Sequence, residues 1–133
     1  MSRFVFINLT TKNVAAAREF YEKVGFAINK DYSTDENAFI VISDSVQLIL
    51  LSETFLRQHG ETRELADAFK VTEGSVAISV DSREEVDRVF DAAIAAGGKP
   101  FGETVEEVDF GLYARAFSDL DGHKIDINHM AVA

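Results

Sequence analysis

The sequence predicts an α+β domain built from two copies of one strand-helix-strands unit. Three observations carry this: Phe4 to Phe26 and Ser75 to Gly98 read alike, each helix lies between a polar cap and a glycine stop, and strand-like stretches follow each copy. In the first copy Val5, Ile7 and Leu9 alternate, Asn13 follows, and Val14, Ala17, Phe20, Tyr21 and Val24 recur at helical spacing up to Gly25. In the second, Val76, Ile78 and Val80 lead to Ser82, then to Val86, Val89, Phe90, Ala93 and Ile94, ending at Gly97 and Gly98. Strands and helices in this order, with antiparallel hairpins after each helix, put the helices on one face of each sheet. Two similar sheets meeting face to face would hold a ligand where they meet.

Taken in order, the first strand is Phe4 to Leu9. Asn13 accepts from the first free helical N–H groups, and Gly25 supplies the left-handed stop. Phe39 to Ser43 and Val46 to Leu51 form a hairpin around Asp44 and Ser45. Residues Glu53 to Lys70 read as helical, because Phe55, Leu56, Leu65, Ala68 and Phe69 recur at helical spacing around Gly60. In the second copy Ser82 and Glu85 fit a capping box, and Glu84 and Glu85 put negative charge at the positive helix end. Tyr113 to Ser118 and Lys124 to Asn128 form a hairpin turned by Asp121 and Gly122. The whole chain, 1–133, is one domain: module one at about 3–52, a helical connector at 53–70 and module two at about 74–130.

Composition limits the functions available. In 133 residues, 47% of them apolar, there is enough to fill one core, and a single proline with no low-complexity tract leaves no visible linker. The absence of cysteine excludes disulfides, thiolate metal sites and cysteine nucleophiles. No basic and apolar leader precedes Phe4, and the apolar stretch Val46 to Leu51, which contains Gln47, is far too short to span a bilayer; the expectation is a cytoplasmic protein without a membrane partner. A net charge of -10 argues against nucleic acid, whose binding draws on clustered Lys and Arg. Solvated helix faces and loops account for the acids; the sharper alternative is an acidic rim that attracts a cationic ligand.

Ile7-Asn8-Leu9 through Asn13 to Phe20-Tyr21, the step Gly25-Phe26, the strand Ser75 to Asp81, and the tail Phe117-Ser118-Asp119-Leu120-Asp121-Gly122-His123-Lys124-Ile125-Asp126 together resemble the glyoxalase, bleomycin-resistance and extradiol-dioxygenase superfamily, also called the vicinal oxygen chelate superfamily. The resemblance covers nearly the whole chain. It implies tandem βαβββ modules whose curved mixed sheets surround a pocket, commonly completed in a homodimer. In the family's metalloenzymes it implies four ligands, one from the first and one from the last strand of each module. Those positions fall here on Phe6, on the apolar stretch Leu48 to Leu51, on Ser75 and on Asp126. A catalytic divalent site needs about three protein donors, and only Asp126 suits, so no metal and no cofactor is expected. A relocated site of His123, Asp126 and His129 is disfavoured, because strand alternation turns Asp126 away from the two histidines.

Alternation also nominates the ligand-binding residues. The aliphatic sides of the strands should pack on the helices, leaving Phe6, Asn8, Ser75, Ala77, Asp126 and Asn128 toward the concavity. Tyr113 and Arg115 share a side with Phe117 and either line the pocket or face a helix; Ala114, Ala116 and Ser118 opposite are too small to decide it. Asp126 is the one catalytic candidate: burial beside Phe6 would raise its pKa and suit it to general-base work. No histidine has a Ser or Cys partner at triad spacing, and Gly98 to Pro100 lacks a phosphate-binding loop.

Two functions fit. One is a small-molecule-binding protein without the usual metal. The other is a lyase or dioxygenase-like enzyme acting on a small oxygenated substrate, through a displaced metal or acid-base chemistry at Asp126, with glyoxalase I activity itself disfavoured. Binding without metal is the reading the ligand positions favour.

Overall fold

A computed structural model describes residues 3–131. Its strands form two four-stranded mixed sheets, ordered β1-β4-β3-β2 and β5-β8-β7-β6. The chain divides into two compact units, 1–66 and 67–133, each holding one sheet.

In the first unit β1 (Val5–Thr10) runs parallel to β4 (Val46–Leu51), which pairs antiparallel with β3 (Asn37–Ser43), and β3 with the short β2 (Ala27–Ile28). The helix α1 (Val14–Val24) starts where the Asn13 side chain accepts from the Ala16 N–H, and its last turn is closed by the Gly25 N–H on Tyr21 and Glu22 carbonyls. Its buried stripe of Val14, Ala17, Phe20, Tyr21 and Val24 belongs to the same core as Ala38, Ile40, Leu48 and Leu50, all four fully excluded from solvent. Each such Ile or Leu contributes about 1.5–3 kcal/mol by its removal from water. α1 covers β2, β3 and β4 more than β1. Ile7 and Leu9 on the edge strand are therefore half-buried and Val5 is exposed, against the expectation that all three pack on a helix.

The predicted connector helix is short. α2 spans Glu53–Gln58, capped by Ser52, whose hydroxyl accepts from the Phe55 N–H. Gly60 at φ +95° turns the chain out of the helix, and the Arg57 guanidinium binds the carbonyls of Glu61 and Arg63 beyond it. Residues 59–70 are therefore not helical, and the apolar spacing of Leu65, Ala68 and Phe69 was a false signal.

In the second unit β5 (Ser75–Ser79) runs parallel to β8 (Lys124–Met130), which pairs antiparallel with β7 (Leu112–Ser118), and β7 with β6 (Lys99–Glu107). The helix α3 (Arg83–Ala95) starts at Ser82, whose hydroxyl accepts from the Glu85 N–H, and it lies over β7 and β8. Ile78, Phe117, Ile125 and Ile127 join Val86, Val89, Phe90 and Ala93 in the core of this unit. β6 is an edge strand, exposed along its whole length, and its pairing with β7 is interrupted between Phe101 and Val105.

Candidate functional site

Registration assigns the two faces of the second sheet. Ala77 faces Asp126, Asp126 faces Ala116 and Ala116 faces Phe101, so one row crosses all four strands on the side away from α3. The next row in one direction is Ser79, Asn128, Ala114 and Val105, and in the other Ser75, Lys124, Ser118 and Lys99. This open face is shallow and mixed. Ala and Ser leave its middle low, Phe101 and Val105 make an apolar edge, and Asp126, Asn128, Lys124 and Lys99 supply polar groups. Asp126 is half-buried, and the Asn128 amide donates to its Oδ1 at 3.3 Å, which orients the carboxylate along the sheet. Four of the expected ligand-binding residues, Ser75, Ala77, Asp126 and Asn128, thus share one surface.

Phe6 and Asn8 occupy the corresponding face of the first sheet. Phe6 faces Gln47 and Asn8 faces Ile49, and both β1 side chains are exposed. The two sheets register equivalently. Phe6 pairs with Gln47 as Ser75 pairs with Lys124, so Ile49, two residues further on, stands where Asp126 stands in the second sheet. The four positions that would hold the family's metal are therefore Phe6, Ile49, Ser75 and Asp126, two of them hydrocarbon and one a hydroxyl. The residues present do not fit that metal.

Tyr113 and Arg115 lie on the other face, under α3, with Phe117. The Tyr113 hydroxyl donates to Asp87 Oδ1 at 2.6 Å, and the Arg115 guanidinium donates to the same oxygen at 2.9 Å while stacking 3.8 Å from the centre of the Phe90 ring. Hydrogen bonding to Tyr113, then to Arg115, holds the Asp87 carboxyl below its usual range, and the same bond raises the Tyr113 phenol. Alternation left two placements open for these residues, and the one against the helix is observed. Arg115 also borders a cavity of about 380 Å³ with Phe90, Pro100 and Thr104, opened where β6 departs from β7, but its charge is committed to Asp87.

The histidines are dispersed. His59 stacks on Phe55 at the surface, and the His129 ring meets the Val80 carbonyl through Nδ1 at 3.0 Å. His123 is 1% exposed, and its Nδ1 meets the Glu73 carboxylate. Among the described residues, one group could offer three metal donors: Asp119, Asp121 and His123, whose ligand atoms lie within 4.8 Å of one another. Asp126 and His129 are not in it. The same residues build the turn between β7 and β8, because Asp119 Oδ1 accepts from the backbone N–H groups of Asp121 and His123, each at 2.9 Å. Sequence reasoning passed over Asp119 as an ordinary turn residue and saw His123 only beside Asp126. It also passed over Lys124, which alternation alone puts on the face of Asp126 and Asn128.

Residues 3–127 match the family described as the Glyoxalase/Bleomycin resistance protein/Dioxygenase superfamily. Among solved structures, a hypothetical protein from S. aureus superimposes with a TM-score of 0.76 at 25% identity, over 97% of this chain and 95% of that one. A family enzyme from Burkholderia phytofirmans gives 0.74 at 19% identity, covering 96% and 98% of the two chains. A glyoxalase-related enzyme from Fulvimarina pelagi gives 0.74 at 21%, covering 97% and 88%. No curated protein matches the chain. No described helix is long and apolar enough to cross a membrane.

Proposed function

The chain belongs to the Glyoxalase/Bleomycin resistance protein/Dioxygenase superfamily, and from that premise we propose that it is a small-molecule-binding protein working without the family's divalent metal. The observation that carries this is hydrocarbon at Phe6 and Ile49, on the sheet faces that otherwise present Asn8, Ser75, Asp126 and Asn128. A mixed surface of small, aromatic and hydrogen-bonding side chains suits an organic ligand, oriented by the paired Asp126 and Asn128. The protein acts in the cytoplasm as a homodimer; a monomer by light scattering at micromolar concentration would remove the dimer.

One observation favours a second reading, an enzyme with a displaced metal: the Asp119, Asp121 and His123 group. Metal analysis of protein purified without chelator separates the two. Binding without metal predicts substoichiometric Zn, Ni, Mn and Fe. Stoichiometric metal lost on Asp121→Ala, with the fold retained, would establish the second reading, and stoichiometric metal lost on Asp126→Ala would overturn the first directly. A thermal-shift screen tests binding itself, since a ligand of the folded state must raise the midpoint, and Asp126→Ala should abolish the shift.

A further inference from the structure

The second unit is acidic as a whole, yet one margin of its sheet gathers positive charge. Lys124 sits on the open face in one row with Ser75, Ser118 and Lys99, adjacent to the row of Asp126. It borders a cavity of about 160 Å³ whose walls include Phe69, Lys70, Val71, Phe101 and Gly122. The Lys99 Nζ stands 5.9 Å from the centre of the Phe69 ring, and the Lys124 Nζ 4.8 Å from that of Phe101. Two of the chain's six lysines thus line this cavity, and a third, Lys99, stands over the Phe69 ring of its wall, in a protein of net charge -10. Among the described residues none of the three forms an ion pair, whereas Lys23, Arg57, Arg63, Arg83, Arg88 and Arg115 all do. Aromatic faces stabilise such ammonium groups only in part, so an anion arriving there meets unspent positive charge. The Glu73 carboxylate at the same wall is engaged by the His123 ring.

From this placement we infer that the cavity takes the acid group of a small, planar organic acid, with Lys70, Lys99 and Lys124 meeting the anion and Phe69, Val71 and Phe101 the apolar body. The volume matches a cavity able to hold a single benzene-sized ring. The inference deepens the proposed function and rests on it, because it adds an anionic end to the ligand of the same sheet face. The alternative that total charge offered was an acidic rim for a cationic ligand; the charge at this margin has the opposite sign.

Three probes of one shape and different charge test it: benzoate, benzyl alcohol and benzylamine, titrated into isotopically labelled protein and read by amide chemical shifts. Benzoate should bind most tightly and move the amides of Phe69 to Gly74, Phe101 and Lys124. Lys124→Gln and Lys70→Gln should each weaken it about fivefold, and added salt should weaken it further, while Lys23→Gln leaves it unchanged. Equal affinity for the three probes, or benzoate binding insensitive to both lysine substitutions, overturns the inference. If in that case Asp126→Ala still abolishes probe binding, the proposed function stands without the anion subsite. If benzoate depends on the lysines but no probe responds to Asp126→Ala, the subsite stands and the role given to Asp126 falls.

Discussion

Replacing Gly122 by alanine should destabilise the protein by about 2–5 kcal/mol, from two causes that can be separated. The residue sits at φ +88°, where an L side chain costs about 1–2 kcal/mol. A Cβ there would also lie 2.7 Å from the Phe69 backbone nitrogen, 2.8 Å from its Cγ and 2.9 Å from the Ala68 carbonyl carbon. Those atoms yield poorly, since the Phe69 N–H is tied to Asp67 Oδ1 at 3.0 Å and the Lys70 and Val71 N–H groups to the Asp67 carbonyl. Overpacking of this kind costs about 1–3 kcal/mol. Gly102 is the control, because at φ +67° it carries the backbone cost with nothing within 4 Å of its Cβ. Gly102→Ala should therefore lose only about 1–2 kcal/mol. Urea unfolding of both variants measures the difference, provided the slope stays constant. If Gly122→Ala costs no more than Gly102→Ala, the close approach of the 68–69 segment to the β7–β8 turn is wrong. Since Phe69 walls the cavity, benzoate binding should weaken with it.

Tyr113→Phe should lose about 0.5–1.5 kcal/mol, a charged hydrogen bond discounted for the exposure of Asp87. Because the folded Asp87 carboxyl lies below its ordinary value of 3.8, its share is present above that pH and lost as pH falls through the folded value; urea titrations should show wild type and variant converging in acid. The folded Tyr113 phenol is raised above 10.0, so its share is full below that pH and lost above it, and a second convergence should appear at alkaline pH. Asn13→Ala and Ser82→Ala each remove a helix cap and should cost about 0.5–2 kcal/mol, with Asn13→Gly nearly neutral, as checked by thermal melts. Leu48→Ala, at a site with 0% exposure, should cost about 2–5 kcal/mol in chemical unfolding.

The sequence by itself determined the repeated strand-helix-strands pattern, both long helices with their caps, and the faces of β5 and β8, though not the strands β2 and β6. In those strands a wholly aliphatic set alternates with a polar one, so period two leaves a single solution for Ile78, Ile125 and Ile127. It also showed the poverty of donors at Phe6 and Ser75, because residue type needs no coordinates. Local pattern failed where both alternatives were mixed or where a backbone turn intervened. In β7, Tyr113, Arg115 and Phe117 oppose Ala114, Ala116 and Ser118, and only the packing of α3 with Asp87 decides between them. At Gly60 a positive φ ends a helix whose apolar spacing continues beyond it. What only the tertiary structure decided is convergence: Lys70, Lys99 and Lys124 belong to a loop and two strands, and Glu73 reaches His123 across 50 residues of sequence. Period and propensity act over one turn or one strand, whereas such groups are assembled by strand pairing and loop packing.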